Sequence, residues 1–314
     1  MSYLTHNWYF DPFDVLVVIT VIAHEIGLSR LRGHSIAART RRRRMNSFFF
    51  YGGLLALVLA IDSPIDFWAS DYFFVHMIEH VMIMFIAPAL VVLGAPWIPL
   101  LFTLPVRARR LVLRFLALSP SAQPLRVVGR FVRLPWVALI SFNAAMLAWH
   151  IPALFDVAES NQSIHVWLMH GSFFVVGVLF WLQILDSYPM KPSRSRLWQA
   201  CAILGSNAVM TVLAMSMSIL TTVSWYLTYA HVPGVTLSPF VDQQIGAAIL
   251  WVCGDFWALP ALIYVVRRVF EEEGSISKLF GFSVRPNDAE ALATFRSWRV
   301  PQSLEVSSHD PSDS

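Results

Sequence analysis

The chain is poor in charge. Only 14% of its 314 residues are Asp, Glu, Lys or Arg, whereas 56% are hydrophobic; a soluble globular domain carries roughly 25% charged residues. Water cannot solvate a surface so short of charge, so lipid is expected to cover much of it, in line with a mean hydropathy of +0.58. Cysteine is scarcer still. Cys201 and Cys253 stand in separate apolar stretches and form no C-x-x-C pair, which suggests neither a disulfide framework nor a thiolate zinc site. No lysine falls in a long apolar run, which disfavours a retinal Schiff base, and no basic residue precedes the first such run, which argues against a cleaved signal peptide.

Long hydrophobic runs are what the chain has in quantity. A helix crossing roughly 30 Å of hydrocarbon needs about 20 largely apolar residues. Segments 13–28, 46–61, 73–93, 134–150, 164–185, 197–222 and 242–266 meet or approach that length. The connections alternate in charge. Seven Lys/Arg lie between Arg30 and Arg44, seven between Arg107 and Arg133, three between Lys191 and Arg196, and six from Arg267 onward, which accounts for all 23. The opposite connections hold Asp62, Asp66, Asp71, Asp156 and Glu159 without a single Lys or Arg. Basic loops stay cytoplasmic, so the expectation is an all-α polytopic bundle of about seven spans, N-terminus outside and C-terminus cytoplasmic. The positive charge therefore reads as membrane topology and not as a nucleic-acid surface. Residues 105–118 mix Arg with Leu, Val and Phe and read as an amphipathic helix in the cytoplasmic interface. Residues 1–270 are expected to form the membrane domain and 271–314 a polar, partly disordered tail. Pro88 and Pro260 each remove a backbone donor inside a span and should kink it.

Ionisable groups inside a bilayer are costly and mark function. His24, His76, His80, His150, His165, His170 and His231 fall in or beside the apolar segments, and on this topology all but His24 map to the outer half. His76 and His80, four apart, share a helix face with Glu79 beside them. Two imidazoles at that spacing can bind one metal ion if a neighbouring helix completes the set. His165 and His170 are five apart, about 140° around an α-helix, and are expected to face different surroundings. His170, the deeper, is the better ligand candidate; His165 suits a cap or hydrogen bond at the interface. His24, followed by Glu25, suits an ion pair or interface contact. Met77, Met82, Met84, Met210, Met215 and Met217 offer thioethers, soft donors for Cu(I), although membrane methionines mostly pack. Asp255 is expected to pair with Asn207, Thr211 or Ser216. His76 to His80 also reads H-x-x-E-H, the inverted zinc-protease pattern, but no third ligand follows and a protease is not expected.

Four stretches together resemble the caa3-type cytochrome c oxidase assembly factor (CtaG) family: His76-Met77-Ile78-Glu79-His80 leading to Ala87-Pro88 and Leu93-Gly94-Ala95-Pro96; Trp149-His150-Ile151-Pro152; His165 and His170 leading to Phe180-Trp181; and Asp242-Gln243-Gln244 with Gly246 and Trp251. The resemblance covers roughly Leu16 to Val266. It implies a polytopic helical protein of the bacterial cell membrane that helps build cytochrome c oxidase, with oxidase subunits or other assembly factors as partners and copper as a suspected cofactor. It carries a metal-site assignment to His76, His80, His150, His170 and Asp242, with Asp242 orienting a ligand through its free ring nitrogen. Glu79 departs from the family pattern, in which an amide or apolar residue is commoner between the histidines; a carboxylate there suits Cu(II) or Zn(II) better than Cu(I).

With no nucleophile–base pair and no phosphate loop, transfer is expected and not turnover, so the chain is not read as an enzyme. Three rivals stand beside this reading. One is a haem-binding electron carrier with two histidines as axial ligands. Another is a copper or proton transporter using Glu79, Asp255 and the hydroxyls of the sixth segment, and the third is a scaffold without metal.

Overall fold

The computed structural model describes residue 8 and residues 12–32 and 37–273, and among them every extended element is helical. Helix α1 covers Pro12–Arg32 and α2 covers Ala37–Ile61, followed by the short α3, Pro64–Ala69. The Ser63 side chain caps α3 by accepting the Ile65 N–H, and Pro64 starts it where a missing N–H costs nothing. Helix α4 runs over Phe73–Gly94, with a π-helical turn at Met82–Ile86 that ends two residues before Pro88. It ends at Ala95, whose φ of 45° is left-handed, and Pro96 prevents its continuation. Then come α5 (Trp97–Phe102), α6 (Val106–Leu118), α7 (Gln123–Val132), α8 (Pro135–Trp149) and α9 (Pro152–Glu159). Helix α10 covers Ile164–Ile184, α11 Arg196–Ser218 and α12 Pro239–Glu273. The polar tail expected from residue 271 lies outside the described residues beyond Glu273.

Among the described residues, five helices are long and apolar enough to cross a membrane: Arg41–Ile61, Phe73–Gly94, Ile164–Ile184, Arg196–Ser218 and Pro239–Glu271. A sixth is added if α7 and α8, bent by 72° at their junction, count as one span. The expected helical membrane bundle is there, with five or six such spans where the sequence suggested about seven. The difference lies at the first and fourth segments. Helix α1 has the length of a crossing but carries Asp14, Glu25, Arg30 and Arg32. Helix α8 has only 15 residues, about 22 Å of rise.

Helix α4 is the central rod: 67% of its apolar window is buried, against 33–44% for the other four. Two glycines let neighbours reach it. A Cβ on Gly177 of α10 would lie 2.5 Å from the Met84 carbonyl oxygen and 2.8 Å from the Pro88 ring; one on Gly246 of α12 would lie 2.6 Å from the Phe73 ring and 3.1 Å from Met77. Only a bare Cα permits such an approach. The amphipathic helix expected at 105–118 is present as α6, and a second one, α7, follows it. Both leave large apolar side chains exposed, among them Leu111, Phe115, Leu125 and Phe131, as suits helices lying in lipid. Arg126 ties the pair by donating to the Leu116 and Ser119 carbonyls at 3.1 and 2.8 Å.

Candidate metal centre

Helix α4 delivers His76, Glu79 and His80 from one face, and all three are buried, at 0, 0 and 2% exposure. The start of that helix is fixed from α12. The two carboxylate oxygens of Asp242 accept the Phe73 and Phe74 N–H groups at 2.8 and 2.9 Å, filling the donors that a helix N-terminus leaves unpaired. Asp242 therefore holds the helix that carries the histidines, whereas the expected contact with a free ring nitrogen is not among its hydrogen bonds. That contact belongs to another pair. Tyr229 places its hydroxyl 2.8 Å from the Ala69 carbonyl and 3.1 Å from His76 Nδ1. Its single proton goes to the carbonyl, which can only accept, so His76 Nδ1 must be the donor to Tyr229 and His76 Nε2 carries the lone pair. Glu159 Oε1 lies 3.6 Å from the same Nδ1.

Helix α10 supplies two more imidazoles, by a route that differs from the expected one. Its first two turns, Ile164–His170, are π-helical, and the Gly171 N–H reaches back five residues to the Val166 carbonyl. In a π-turn, residues five apart come onto one face, so His165 and His170 do not diverge: their ring centroids are 4.2 Å apart. His165 stacks on His76 at 5.1 Å with an interplanar angle of 13°, and His170 lies 5.7 Å from His80. Ligand atoms of His76, Glu79, His165 and His170 all lie within 4.8 Å of one another, and all four residues are buried.

His80 and His150 stand at the rim of this group. His80 Nε2 is 2.6 Å from His76 Nε2; with the His76 proton on Nδ1, the His80 Nε2–H is the donor and the His76 lone pair accepts. The His150 ring is 5.6 Å from His80, and its Nδ1 donates to the Met146 carbonyl at 2.6 Å. This leaves the His150 Nε2 lone pair buried and without a hydrogen-bond partner. Glu159, at the end of α9, lies 3.4 Å from His165 Nε2. Burial pushes its carboxyl up to about 8, with help from the charges of Asp66 and Asp156. Burial likewise raises the Tyr229 hydroxyl well above its usual range, so it stays a neutral phenol. Sequence reasoning passed over both: Glu159 counted only as an outer-loop charge, and nothing in the sequence marked Tyr229.

Both oxygens of Glu79, His80 Nδ1, His150 Nε2, His165 Nε2 and both ring nitrogens of His170 are buried without a hydrogen bond. Each such atom costs about 1–3 kcal/mol, more in hydrocarbon. A cation would satisfy this gathering of lone pairs around a carboxylate, and the N/O donor set fits one. Four ligands 2.1 Å from a tetrahedral ion stand about 3.4 Å apart, so the widest pair must close by about 1.4 Å, within reach of side-chain rotation. The other candidates lie elsewhere. Met77 packs over Gly246, His231 is exposed, and His24 bonds through Nδ1 to the Tyr51 hydroxyl at 2.8 Å. Asp255 accepts from Asn207 at 3.4 Å, one of its three expected partners.

The family model for the cytochrome c oxidase caa3 assembly factor (Caa3_CtaG) matches residues 26–272, a range that contains every residue of this cluster. The chain belongs to that family. Among curated proteins it is similar to an uncharacterized protein of Mycobacterium bovis (Mb0105), 28% identical over 278 residues that make up 83% of this chain and 39% of that protein. A Mycobacterium leprae protein, also uncharacterized (ML1998), is 27% identical over 274 residues, 81% of this chain and 38% of its own length. The chain thus spans about two fifths of the curated relatives it matches. No solved structure matches it.

Proposed function

We propose that this member of the caa3 assembly factor family holds a copper ion at His76, Glu79, His165 and His170, near the outer face of the bacterial cell membrane, and passes it to an oxidase subunit. The observation that carries the reading is the meeting of those four side chains within 4.8 Å, buried, from two separate helices. Three imidazoles and a carboxylate favour Cu(II) or Zn(II) over Cu(I), which prefers softer donors. His80 and His150 extend the imidazole array beyond the four, and Tyr229 and Glu159 fix the tautomer of His76 from behind. Bound there, copper would supply the charge that the buried carboxylate and ring nitrogens lack. The protein's part is to orient His76 and exclude water. The sorting of basic residues to the opposite loops supports an outward position for this end of the bundle.

The test is metal analysis of the purified protein beside His76→Ala/His170→Ala, together with the copper content of oxidase in cells carrying each form. The reading expects about one copper per wild-type chain, none in the double variant, and an oxidase depleted of copper in the variant strain. A membrane-inserted double variant that keeps its copper, or that supports a fully metallated oxidase, would refute it.

A further inference from the structure

At the end of the bundle opposite the histidines, about 27 Å along α4 from His76 to Gly94 at 1.5 Å per residue, α1, α2 and the turn after α4 enclose a cavity of about 430 Å³. Most of its polar lining comes from α2, as Arg42, Arg43, Asn46 and Ser47, joined by His24 of α1 and by Tyr188, and no Asp or Glu among the described residues lines it. Positions i, i+1, i+4 and i+5 share one helix face, so two guanidinium forks, an amide and a hydroxyl point to one space. The facing wall is apolar and includes Leu28 and Ile98.

The arginines of this region divide by task. Arg30 donates to the carbonyls of Phe102 and Thr103 at 3.2 and 2.6 Å and so ties α1 to α5. Arg43 donates one N–H to the Leu31 carbonyl at 2.8 Å, which orients its fork and leaves other donors on it directed elsewhere. Arg42 has no such structural task among the described residues. Guanidinium forks backed by amide and hydroxyl donors match the acceptor geometry of a phosphate. The apolar wall has no use to a soluble anion, but it suits the glycerol and first methylenes of a lipid. The cavity also sits where the chain gathers its positive charge, the level of phosphates in an anionic leaflet.

We propose that this cavity binds the phosphate headgroup of an anionic phospholipid, with Arg42, Arg43, Asn46 and Ser47 as its donors. The site is independent of the metal centre and of the reading given to it.

Native mass spectrometry tests this, on the full chain in neutral detergent with phosphatidylglycerol or phosphatidylcholine added. The wild type should retain one phosphatidylglycerol roughly 10- to 30-fold more tightly than phosphatidylcholine, as expected for two arginines at the phosphate level. Arg42→Gln/Arg43→Gln should lose that preference. Arg107→Gln/Arg110→Gln on α6, which removes as much charge outside the cavity, should keep it. Equal retention of both lipids by the wild type would overturn the proposal whether or not any variant folds. So would a preference that survives the Arg42/Arg43 change or disappears with the Arg107/Arg110 change. Displacement of the lipid by millimolar inorganic phosphate would assign the cavity to a soluble anion and overturn it as well.

Discussion

Replacing Gly177 with alanine adds one methyl group to the contact that sets the distance between α10 and α4. The new Cβ would stand 2.5 Å from the Met84 carbonyl oxygen and 2.8 Å from the Pro88 Cγ. Non-bonded attraction is optimal near 3.5–4.0 Å, so α10 must retreat by about 1 Å. Neither neighbour can yield: one is backbone and the other a proline ring inside a helix. Overpacking of this kind costs about 1–3 kcal/mol. The retreat also carries His170, two turns away, from Glu79 and His76, and metal–ligand distances tolerate only about 0.2 Å. Copper affinity should therefore fall, on the order of 10-fold. Gly205→Ala is the paired control. No atom lies within 4 Å of a Cβ built there, and a helical Gly→Ala change stabilises by roughly 0.5–1 kcal/mol when nothing clashes. Denaturant unfolding in detergent should separate the two variants by about 1.5–4 kcal/mol, with opposite signs relative to wild type. A Gly177→Ala protein as stable as Gly205→Ala, and binding copper as tightly as wild type, would show that this approach of helices does not set the geometry of the centre.

Two further outcomes follow from the residues around the cluster. Glu159 is raised by burial from 4.5 to about 8, so between those values the unfolded chain has released a proton that the folded protein keeps. Stability of the metal-free protein should fall as pH rises through that window and level off above it; Glu159→Gln should remove this part of the slope, and an unchanged slope in thermal unfolding at pH 5 to 9 would exonerate the carboxyl. Asp242→Ala strands two helix-terminal N–H donors, at about 1–3 kcal/mol each, while Asp242→Asn keeps one acceptor oxygen. Limited proteolysis should rank wild type above Asn above Ala, with copper still bound at saturation in the Asn variant; loss of copper in Asn with no loss of stability would make Asp242 a ligand after all.

The bundle was legible because lipid imposes a simple rule. Runs near 20 apolar residues and the sorting of 23 basic residues into alternate loops are signals of composition, and they survive any detail of packing. Crossing counts were less secure at the margins, where α1 carries charge and α8 is short. At the site, the pair on α4 could be read from its spacing because that helix is a regular α-helix through Phe73–Val81. Asp242 was legible as important but not as a cap, since the amides it serves are 168 and 169 residues away in the chain. Tyr229 could not be found in advance, because a loop phenol gains its role only when folding sets it between Ala69 and His76.

The pair His165 and His170 shows where reasoning from periodicity stops. A step of 100° per residue turns two side chains five apart away from each other; a step near 80°, as in a π-turn, brings them together. The whole difference between a cap residue and a member of the cluster thus rests on a small winding change in two turns of backbone, and no residue type in Ile164–His170 announces it. A π-turn has a poorer hydrogen-bond ladder than an α-helix, so something must hold it. The contacts available are those of the cluster itself: His165 stacked on His76, His170 beside Glu79 at 3.5 Å, and Glu159 against His165. The winding of α10 and the convergence of the imidazoles are then one feature, in which the polar groups that would bind the ion also hold the backbone that presents them.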